Sequence, residues 1–305
     1  MSDHSDIQLS REAVEFAEWM AGLVVPEPEL DATRTRVESV HLRAREPEGV
    51  TYREVDAGGV LGIWCEPVGA DTGQVLLHGH AGGSVLSSAY VDRKLAGHIA
   101  KAAGAPVLVL DFRRSPEHKY PAQLDDVEAA FNWLVSEGYA PGNIITVGHS
   151  IGGFLAVALA LRLRDKGQPM PGAIVSISPW CDLEIGNETM ETNAGTDKIL
   201  SKSLLEFFRE SWVGGTGIEF TDPRINLNRA DLTGLPPTLV SWGTYEVLAG
   251  EDEEFAARVK AAGIDTATVV VPGGQHSYVF GAGRVPEADA AIARIGAWVR
   301  EKTKI

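Results

Sequence analysis

The chain has 305 residues, of which 44% are hydrophobic and 23% charged, a balance typical of a soluble globular enzyme. Its formal net charge of −15 argues against a nucleic-acid partner, which requires a basic footprint, and against docking on anionic membranes. Two cysteines, Cys65 and Cys181, are too few for a disulfide framework, and no Cys/His spacing typical of a metal site occurs. We therefore expect no metal, no nucleic-acid partner and no membrane partner.

The cellular compartment is predicted from the N-terminal residues and from the longest apolar run. The N-terminal residues are acidic and polar, unlike a signal peptide. The longest apolar run, residues 154–163, is too short to cross a bilayer. These features predict a cytoplasmic protein.

Residues 1–50 have a helical pattern. In the first helix, Ser10 precedes the apolar run as a candidate N-cap. Apolar residues at i, i+3, i+4 and i+7 define one face of this helix, namely Ala13, Phe16, Ala17 and Met20. Residues 30–45 predict a second short helix.

Beyond residue 50 the period changes to that of strands. Gly58 and Gly59 separate two strand-like segments and predict a tight hairpin turn. Further along, short apolar strands alternate with amphipathic helices, which predicts a mostly parallel sheet covered by helices on both faces. These later strands are expected at residues 74–79, 106–112, 143–149, 172–178, 237–243 and 266–271.

Nearly sixty residues between the strand predicted at 172–178 and the strand predicted at 237–243 break this alternation. A structureless loop of that length is uncommon in a compact domain, and residues 201–212 predict a helix. We expect an inserted helical cap against which the N-terminal helices pack; the alternative is an ordinary helical excursion remote from the site. The predicted organisation is therefore a catalytic domain interrupted by an insertion, with cap helices at 1–50, catalytic segments at 51–180 and 231–305, and the cap insertion at 181–230.

The pattern Gly-x-Ser-x-Gly at residues 148–152 predicts a nucleophile at Ser150. The pattern alone decides little, because 17 serines and 33 glycines give about 0.2 matches by chance. Its context is more specific, since a buried strand precedes the serine and a helix follows it, as in a nucleophile elbow. A structural serine or a helix cap is the alternative.

A nucleophilic serine needs a base and an acid that orients the base. In this fold class the chain order is nucleophile, acid, histidine, and of eight histidines only His276 follows Ser150. Glu246, in the loop after the strand that ends near Gly243, is the predicted acid. Asp252 is the reserve candidate. It ranks below Glu246 because the acidic residues from 251 onward open a helix, where their charges complement the helix dipole.

Backbone donors for a developing oxyanion are expected after the strand at 74–79. Gly82 and Gly83 allow a close approach of the main chain, and the N–H of Ile151 would be the third donor. A plain flexible loop is the alternative. Three aromatic residues of the insertion are candidates to bind substrate: Phe207, Phe208 and Trp212.

These motifs together resemble the bacterial hormone-sensitive-lipase family (family IV) of α/β-hydrolases over about residues 75–300. The segments that carry the resemblance are HAGG at 80–83, FRRSPEHKYPAQLDD at 112–126 and GHSIGG at 148–153. The resemblance implies an α/β-hydrolase fold, hydrolysis of carboxylic esters, no cofactor, and a helical cap built from the N-terminus and the insertion. It also implies that Glu117 and His118 pin loops near the site rather than catalyse.

Four residues depart from the pattern of that family. Ala81 replaces the first glycine of the oxyanion motif, which is tolerable if its φ stays negative. Glu246 replaces the usual aspartate, and His149 stands beside the serine where the family has aspartate. Ile151 replaces an alanine, and its stiff β-branched side chain predicts a narrowed pocket that favours small acyl groups.

The sequence thus predicts a serine carboxylesterase that acts through an acyl-enzyme on short-chain or small soluble esters. An amidase or deacetylase with the same machinery is the first alternative, and a ligand-binding protein on this scaffold is the second. The predicted partner is a small-molecule ester, and a homodimer is left open.

Overall fold

An eight-stranded sheet organises the chain, in the order β1-β2-β4-β3-β5-β6-β7-β8. The computed structural model describes residues 7–21, 23 and 29–303. β2 pairs antiparallel with both β1 and β4, and every other neighbouring pair is parallel. The predicted mostly parallel sheet is confirmed, and its strands are β1 Val50–Asp56, β2 Leu61–Pro67, β3 Val75–Gly79, β4 Val107–Leu110, β5 Ile144–His149, β6 Ala173–Ile177, β7 Thr238–Gly243 and β8 Thr266–Val271.

The hairpin between β1 and β2 is formed as predicted. Gly58 and Gly59 have φ of 73° and 90°, a conformation that glycine adopts without the steric cost of a Cβ. The Ala57 N–H donates to the Val60 carbonyl at 2.7 Å and closes the turn.

Helices cover both faces of the sheet. α3 packs against α9, and α4 packs against α5, so that the two pairs form opposite layers. The helices are α1 Arg11–Ala21, α2 Leu30–Glu38, α3 Ala89–Ala103, α4 Ala122–Ser136, α5 Ile151–Asp165, α6 Thr189–Thr192, α7 Lys202–Val213, α8 Ala249–Ala261 and α9 Pro286–Thr303. Among the described residues, none of these helices has the length and apolar character that a bilayer span requires.

The first helix is anchored to the start of the last one. Ser10 caps α1 as predicted, because its Oγ accepts the Ala13 N–H at 3.1 Å. The N–H and Oγ of Ser10 also donate to the Glu287 carboxylate, each at 2.7 Å. α1 therefore lies against α9. Parts of the predicted cap helices, residues 1–6, 22 and 24–28, lie outside the described residues.

Arg34 makes most of the hydrogen bonds that join the second helix to the catalytic segments, and Glu38 adds one by accepting the Ser88 hydroxyl at 3.0 Å. Arg34 donates to the Val85 carbonyl at 3.0 Å, to the Ser115 carbonyl at 2.8 Å, and to both oxygens of Glu117 at 2.7 and 2.9 Å. Five N–H donors in a planar fork allow a single guanidinium to satisfy all these acceptors. α2 is thereby fixed to the loops that follow β3 and β4.

The insertion contains two helices and long connecting segments. α7 matches the helix predicted for residues 201–212, and Ser201 caps it by accepting the Leu204 N–H at 3.2 Å. The short α6 lies upstream of it. Hydrogen bonds from residues 189–197 join the insertion to the loop that follows β7, and one from Lys198 reaches the loop that follows β8.

Candidate active site

Ser150 is the single residue between the end of β5 and the start of α5. Its backbone has φ 58° and ψ −121°, which is a strained conformation for a residue with a side chain. The Ser150 N–H donates to the Ile177 carbonyl at 2.8 Å and holds this turn against β6. The hydroxyl is thus presented at the carboxyl edge of the sheet, as expected for a nucleophile elbow.

The two glycines of the motif are required by close backbone approaches. A Cβ added to Gly148 would collide with the Gly152 carbonyl, and one added to Gly152 would collide with the Gly79 carbonyl. Since neither contact involves a side chain that could turn away, only glycine fits at both positions. The tight crossing of α5 over β3 and β5 depends on them.

Three side chains form a continuous chain of hydrogen bonds. A carboxylate can only accept, so His276 Nδ1 carries the proton and donates to Glu246 Oε2 at 2.8 Å. His276 Nε2 is then free to accept from the Ser150 hydroxyl, at 3.1 Å. All three side chains are buried, and Glu246 has no exposed surface. The geometry is that of a nucleophile, its base, and an acid that orients the base.

Two further donors hold the Glu246 carboxylate. Its Oε1 accepts the Gly243 N–H and the Ser178 hydroxyl, the latter at 2.8 Å. The bond to Gly243 folds the longer glutamate side chain back toward its own strand, which accommodates the extra methylene. A Cβ on Gly243 would collide with the Gly274 carbonyl, so this glycine also brings the loops of Glu246 and His276 together.

The structure places Glu246, and not the reserve candidate Asp252, against His276. Asp252 lies fully buried in α8 with Oδ1 3.9 Å from Cys181 Sγ. Burial, reinforced by the charge of Glu246, raises the pKa of Asp252 well above its usual value.

The N–H groups expected to hold an oxyanion are free of other partners. Among the described residues, the backbone N–H groups of Gly82, Gly83 and Ile151 donate to no other protein group. Ile151 begins α5, where helix geometry leaves the N–H unpaired. Gly82 and Gly83 have φ of 103° and 61°, which favours glycine, whereas Ala81 has no positive φ. The departure at Ala81 therefore causes no strain.

Comparisons with known proteins agree with this architecture. The sequence profile of the α/β-hydrolase fold family matches residues 76–280. An acetyl-hydrolase from Streptomyces hygroscopicus is 34% identical over 297 residues, which cover 90% of this chain and 97% of that protein. A crystal structure of an esterase from the bacterial hormone-sensitive lipase family superposes with a TM-score of 0.93 at 34% identity, covering 97% of this chain and all of that one.

The chain belongs to the bacterial hormone-sensitive lipase family of α/β-hydrolases. An esterase from Acinetobacter venetianus is 30% identical over 246 residues, which cover 81% of this chain and 80% of that protein. The protein is therefore a carboxylic ester hydrolase.

The three aromatic residues predicted to bind substrate have different environments in this hydrolase. Phe208 is buried, and its ring lies so close to Gly83 that a Cβ there would meet it. Phe207 is about half exposed, at 47%. Substrate contacts at these two residues stay predictions.

Trp212 is the third residue predicted to contact substrate, and that contact also stays a prediction. Its ring is fully buried, and its Nε1 donates to Gln123 Oε1 at 2.9 Å. The ring packs edge-on against Tyr120 and Phe154 at centroid distances of 5.7 and 5.3 Å. Trp212 thus joins α7 to the core beneath it.

His149 packs against His276 without a hydrogen bond between the two rings. Its ring is fully buried, 5.5 Å from the ring of His276 between centroids and edge-on to Phe280 at 5.1 Å. Burial, and then the neighbouring His276, lower the pKa of His149 well below its usual value. A neutral imidazole here adds no charge that would oppose protonation of His276.

Glu117 has the pinning role that the family resemblance implies. The bidentate hydrogen bonds from Arg34 lower the pKa of its carboxyl to about 2. Glu117 is therefore held as an anion by a helix of the N-terminal segment and does not point to the triad.

Ser178 is a contact to the acid that the sequence analysis missed. It follows β6 directly and has φ 42°, so its hydroxyl is turned toward Glu246. The only available signal was its position after a strand next to the elbow strand, since parallel strands end at the same edge.

A separate cavity of about 490 Å³ lies elsewhere on the hydrolase. Its lining includes Tyr120, Leu161, Arg162 and Arg224, and none of the triad or oxyanion residues. Its most buried cation, Arg162, is neutralised by Asp125 and Glu128. The cavity is not part of the site at Ser150.

Proposed function

We propose that this hydrolase cleaves short-chain or small soluble carboxylic esters through a covalent acyl-enzyme on Ser150. His276 is the general base and acid, and Glu246 orients it. The observation that carries the proposal is the unbroken chain of hydrogen bonds from Glu246 through His276 to Ser150.

Acylation begins at the Ser150 hydroxyl. His276 Nε2 removes its proton as Oγ attacks the ester carbonyl, and the buried Glu246 carboxylate stabilises the imidazolium that forms. The imidazolium then protonates the leaving alcohol, which departs and leaves the acyl group on Oγ. Because the bond from Nδ1 to Glu246 fixes the tautomer, Nε2 is available for both proton transfers.

The negative charge on the substrate oxygen is held by backbone donors. The free N–H groups of Gly82, Gly83 and Ile151 are the candidates, and removing one such donor typically costs about 3 kcal/mol of transition-state stabilisation. Deacylation repeats the sequence with water, which His276 activates for attack on the acyl carbonyl.

The limited space around Ser150 supports a substrate with a small acyl group. Only 7% of Ser150 is exposed, and Phe208 presses on Gly83 from the insertion. The acetyl-hydrolase among the relatives points to the same class of substrate.

The proposal is tested by Ser150→Ala in p-nitrophenyl acetate hydrolysis. We expect kcat to fall by about 10³-fold or more, because the acyl-enzyme cannot form. Ser203→Ala, at an exposed serine of α7, is the matched control and should retain wild-type activity. Retention of more than a few per cent of kcat by Ser150→Ala would refute the proposed nucleophile.

Two sequence predictions need experiments of their own. Cell fractionation tests the predicted cytoplasmic location. Light scattering after gel filtration tests for a homodimer.

A further inference from the structure

The insertion holds the backbone of the acid loop, which we define as residues 244–247. The four consecutive carbonyls of this loop each accept a hydrogen bond from residues 189–196. The bonds run from Asn193 Nδ2 to the Thr244 and Glu246 carbonyls at 3.1 and 2.7 Å, from Thr196 Oγ1 to the Tyr245 carbonyl at 3.1 Å, and from Thr189 Oγ1 to the Val247 carbonyl at 2.7 Å. The conformation of the acid loop therefore depends on the insertion.

Asp197 adds a buried carboxylate to this contact. Only 6% of it is exposed. Its Oδ2 accepts the Val247 N–H at 2.9 Å, and its Oδ1 accepts the N–H groups of Ile199 and Leu200, each at 2.9 Å. Both oxygens face donors only, which is the arrangement that suits an ionised carboxylate.

The next residue reaches the histidine loop. The Lys198 N–H donates to Gln275 Oε1 at 2.8 Å, and Gln275 directly precedes His276. Two adjacent residues of the insertion thus bind next to Glu246 on one side and next to His276 on the other. Both contacts, to Val247 and to Gln275, come from the insertion and not from a strand of the central sheet.

We propose that Asp197 is a positioning residue for the Glu246–His276 pair, which fixes the acid loop through Val247 and directs a second negative charge toward the imidazole. This inference rests on the proposed triad. It gives the insertion a role in positioning Glu246 and His276, in addition to the role of a cap over the substrate.

The charge of Asp197 matters when His276 is protonated. Glu246 bonds to His276 from the acid loop, His149 packs beside it from β5, and Asp197 of the insertion interacts with it through charge. His149 stays neutral, so the two carboxylates determine the local field. Burial raises the pKa of Asp197, and the attraction of His276 opposes this rise. The same attraction means that an ionised Asp197 favours the imidazolium form of His276.

The test is the pH profile of kcat/KM for Asp197→Asn, with p-nitrophenyl acetate as substrate. Loss of the charge destabilises the imidazolium, so the acid limb should move to lower pH by about half a unit or more. On the plateau, kcat should fall about tenfold while KM changes little, as for other residues that orient a catalytic group. Asp197→Ser, which removes the charge without aiming an amide N–H at Val247, is the second variant and should shift the limb in the same direction.

Thr196→Val is the matched control, because it removes a neutral hydroxyl that lies 3.1 Å from both the Tyr245 and the Asn193 carbonyls and leaves the charge in place. Its acid limb should stay at the wild-type position. A folded Asp197→Asn or Asp197→Ser enzyme whose acid limb does not move would overturn the inference and leave the triad untouched. Absence of hydrolysis by the wild-type enzyme, in contrast, would contradict the proposed function itself.

Discussion

Single residues determine the position of Ser150, the proposed nucleophile, through their backbone conformations. Ser150 adopts a positive φ that costs free energy, and the neighbouring strand and the glycines at 148 and 152 hold it there. The spacing of these glycines was visible in the sequence, whereas the approach of Gly152 to Gly79 on β3 was not, because it joins distant positions of the chain. The conformation of Ser150 is thus held by residues within a few positions of it and by the neighbouring strands β3 and β6.

Ile151 is the residue for which we predict an effect on substrate choice. Its N–H is a candidate oxyanion donor, and its side chain is fully buried at the start of α5. Replacing it with alanine removes a β-branched group, so Ile151→Ala should increase activity on butyryl to octanoyl esters relative to acetyl esters. The measurement is kcat/KM across a series of p-nitrophenyl esters. An unchanged chain-length profile would show that this side chain does not limit the acyl pocket.

At the scale of elements, the alternation of strands and helices could be predicted from the sequence, and the paths of the inserted residues could not. Each strand from β3 to β8 lies within one or two residues of its predicted segment, because continuous apolar runs report burial directly. Ser178, Asn193 and Asp197 bind the triad loops across 50 to 70 positions of sequence. Contacts of that kind depend on where the insertion packs, and no local pattern encodes them.

Helix α8 carries two buried acids whose pKa values make stability depend on pH. Glu251 and Asp252 are fully buried, and burial raises the pKa of both well above the usual range. The folded state therefore binds protons that the unfolded state releases. Their contribution to stability is fully present below the unfolded pKa of about 4 and is lost as pH rises toward the folded values.

We predict that Asp252→Asn increases the free energy of unfolding over that of the wild type, and that this gain is larger at pH 8 than at pH 5. The gain in unfolding free energy over wild type should grow with pH, at up to about 1.4 kcal/mol per pH unit in the window where only the folded state holds the proton. Urea unfolding at both pH values measures it. Glu253→Gln, at the exposed neighbouring position, is the control and should show no such trend. A gain that is equal at the two pH values would contradict the raised pKa.

At the scale of the whole molecule, the N-terminal helices brace the catalytic body at two places. α1 is held by Ser10 on Glu287 at the start of α9, and α2 is held by Arg34 on the loop behind the oxyanion residues. The helical pattern of residues 10–45 was evident in the sequence. Their docking sites were not, because a capping serine and an arginine give no information about distant partners.

We predict that Arg34→Ala weakens both stability and catalysis. It removes hydrogen bonds to the Val85 and Ser115 carbonyls and leaves Glu117 without its partner, at a cost of about 1–3 kcal/mol in unfolding free energy. Catalysis should fall because Arg34 holds the Val85 carbonyl, and Val85 belongs to the same loop as the candidate oxyanion donors Gly82 and Gly83. Thermal unfolding and kcat measure the two effects. Arg11→Ala, which breaks an exposed pair with Glu15, should change neither, and an Arg34→Ala enzyme that matches it would contradict the bracing role.

The central claim is that Ser150, His276 and Glu246 work as one unit at the carboxyl edge of the sheet. The most direct test is labelling by a fluorophosphonate, with the modified peptide identified by mass spectrometry. The account predicts one label per chain, on Ser150, and labelling slowed by several orders of magnitude in His276→Ala. A label on another residue, or equal labelling rates in the wild type and His276→Ala, would contradict it.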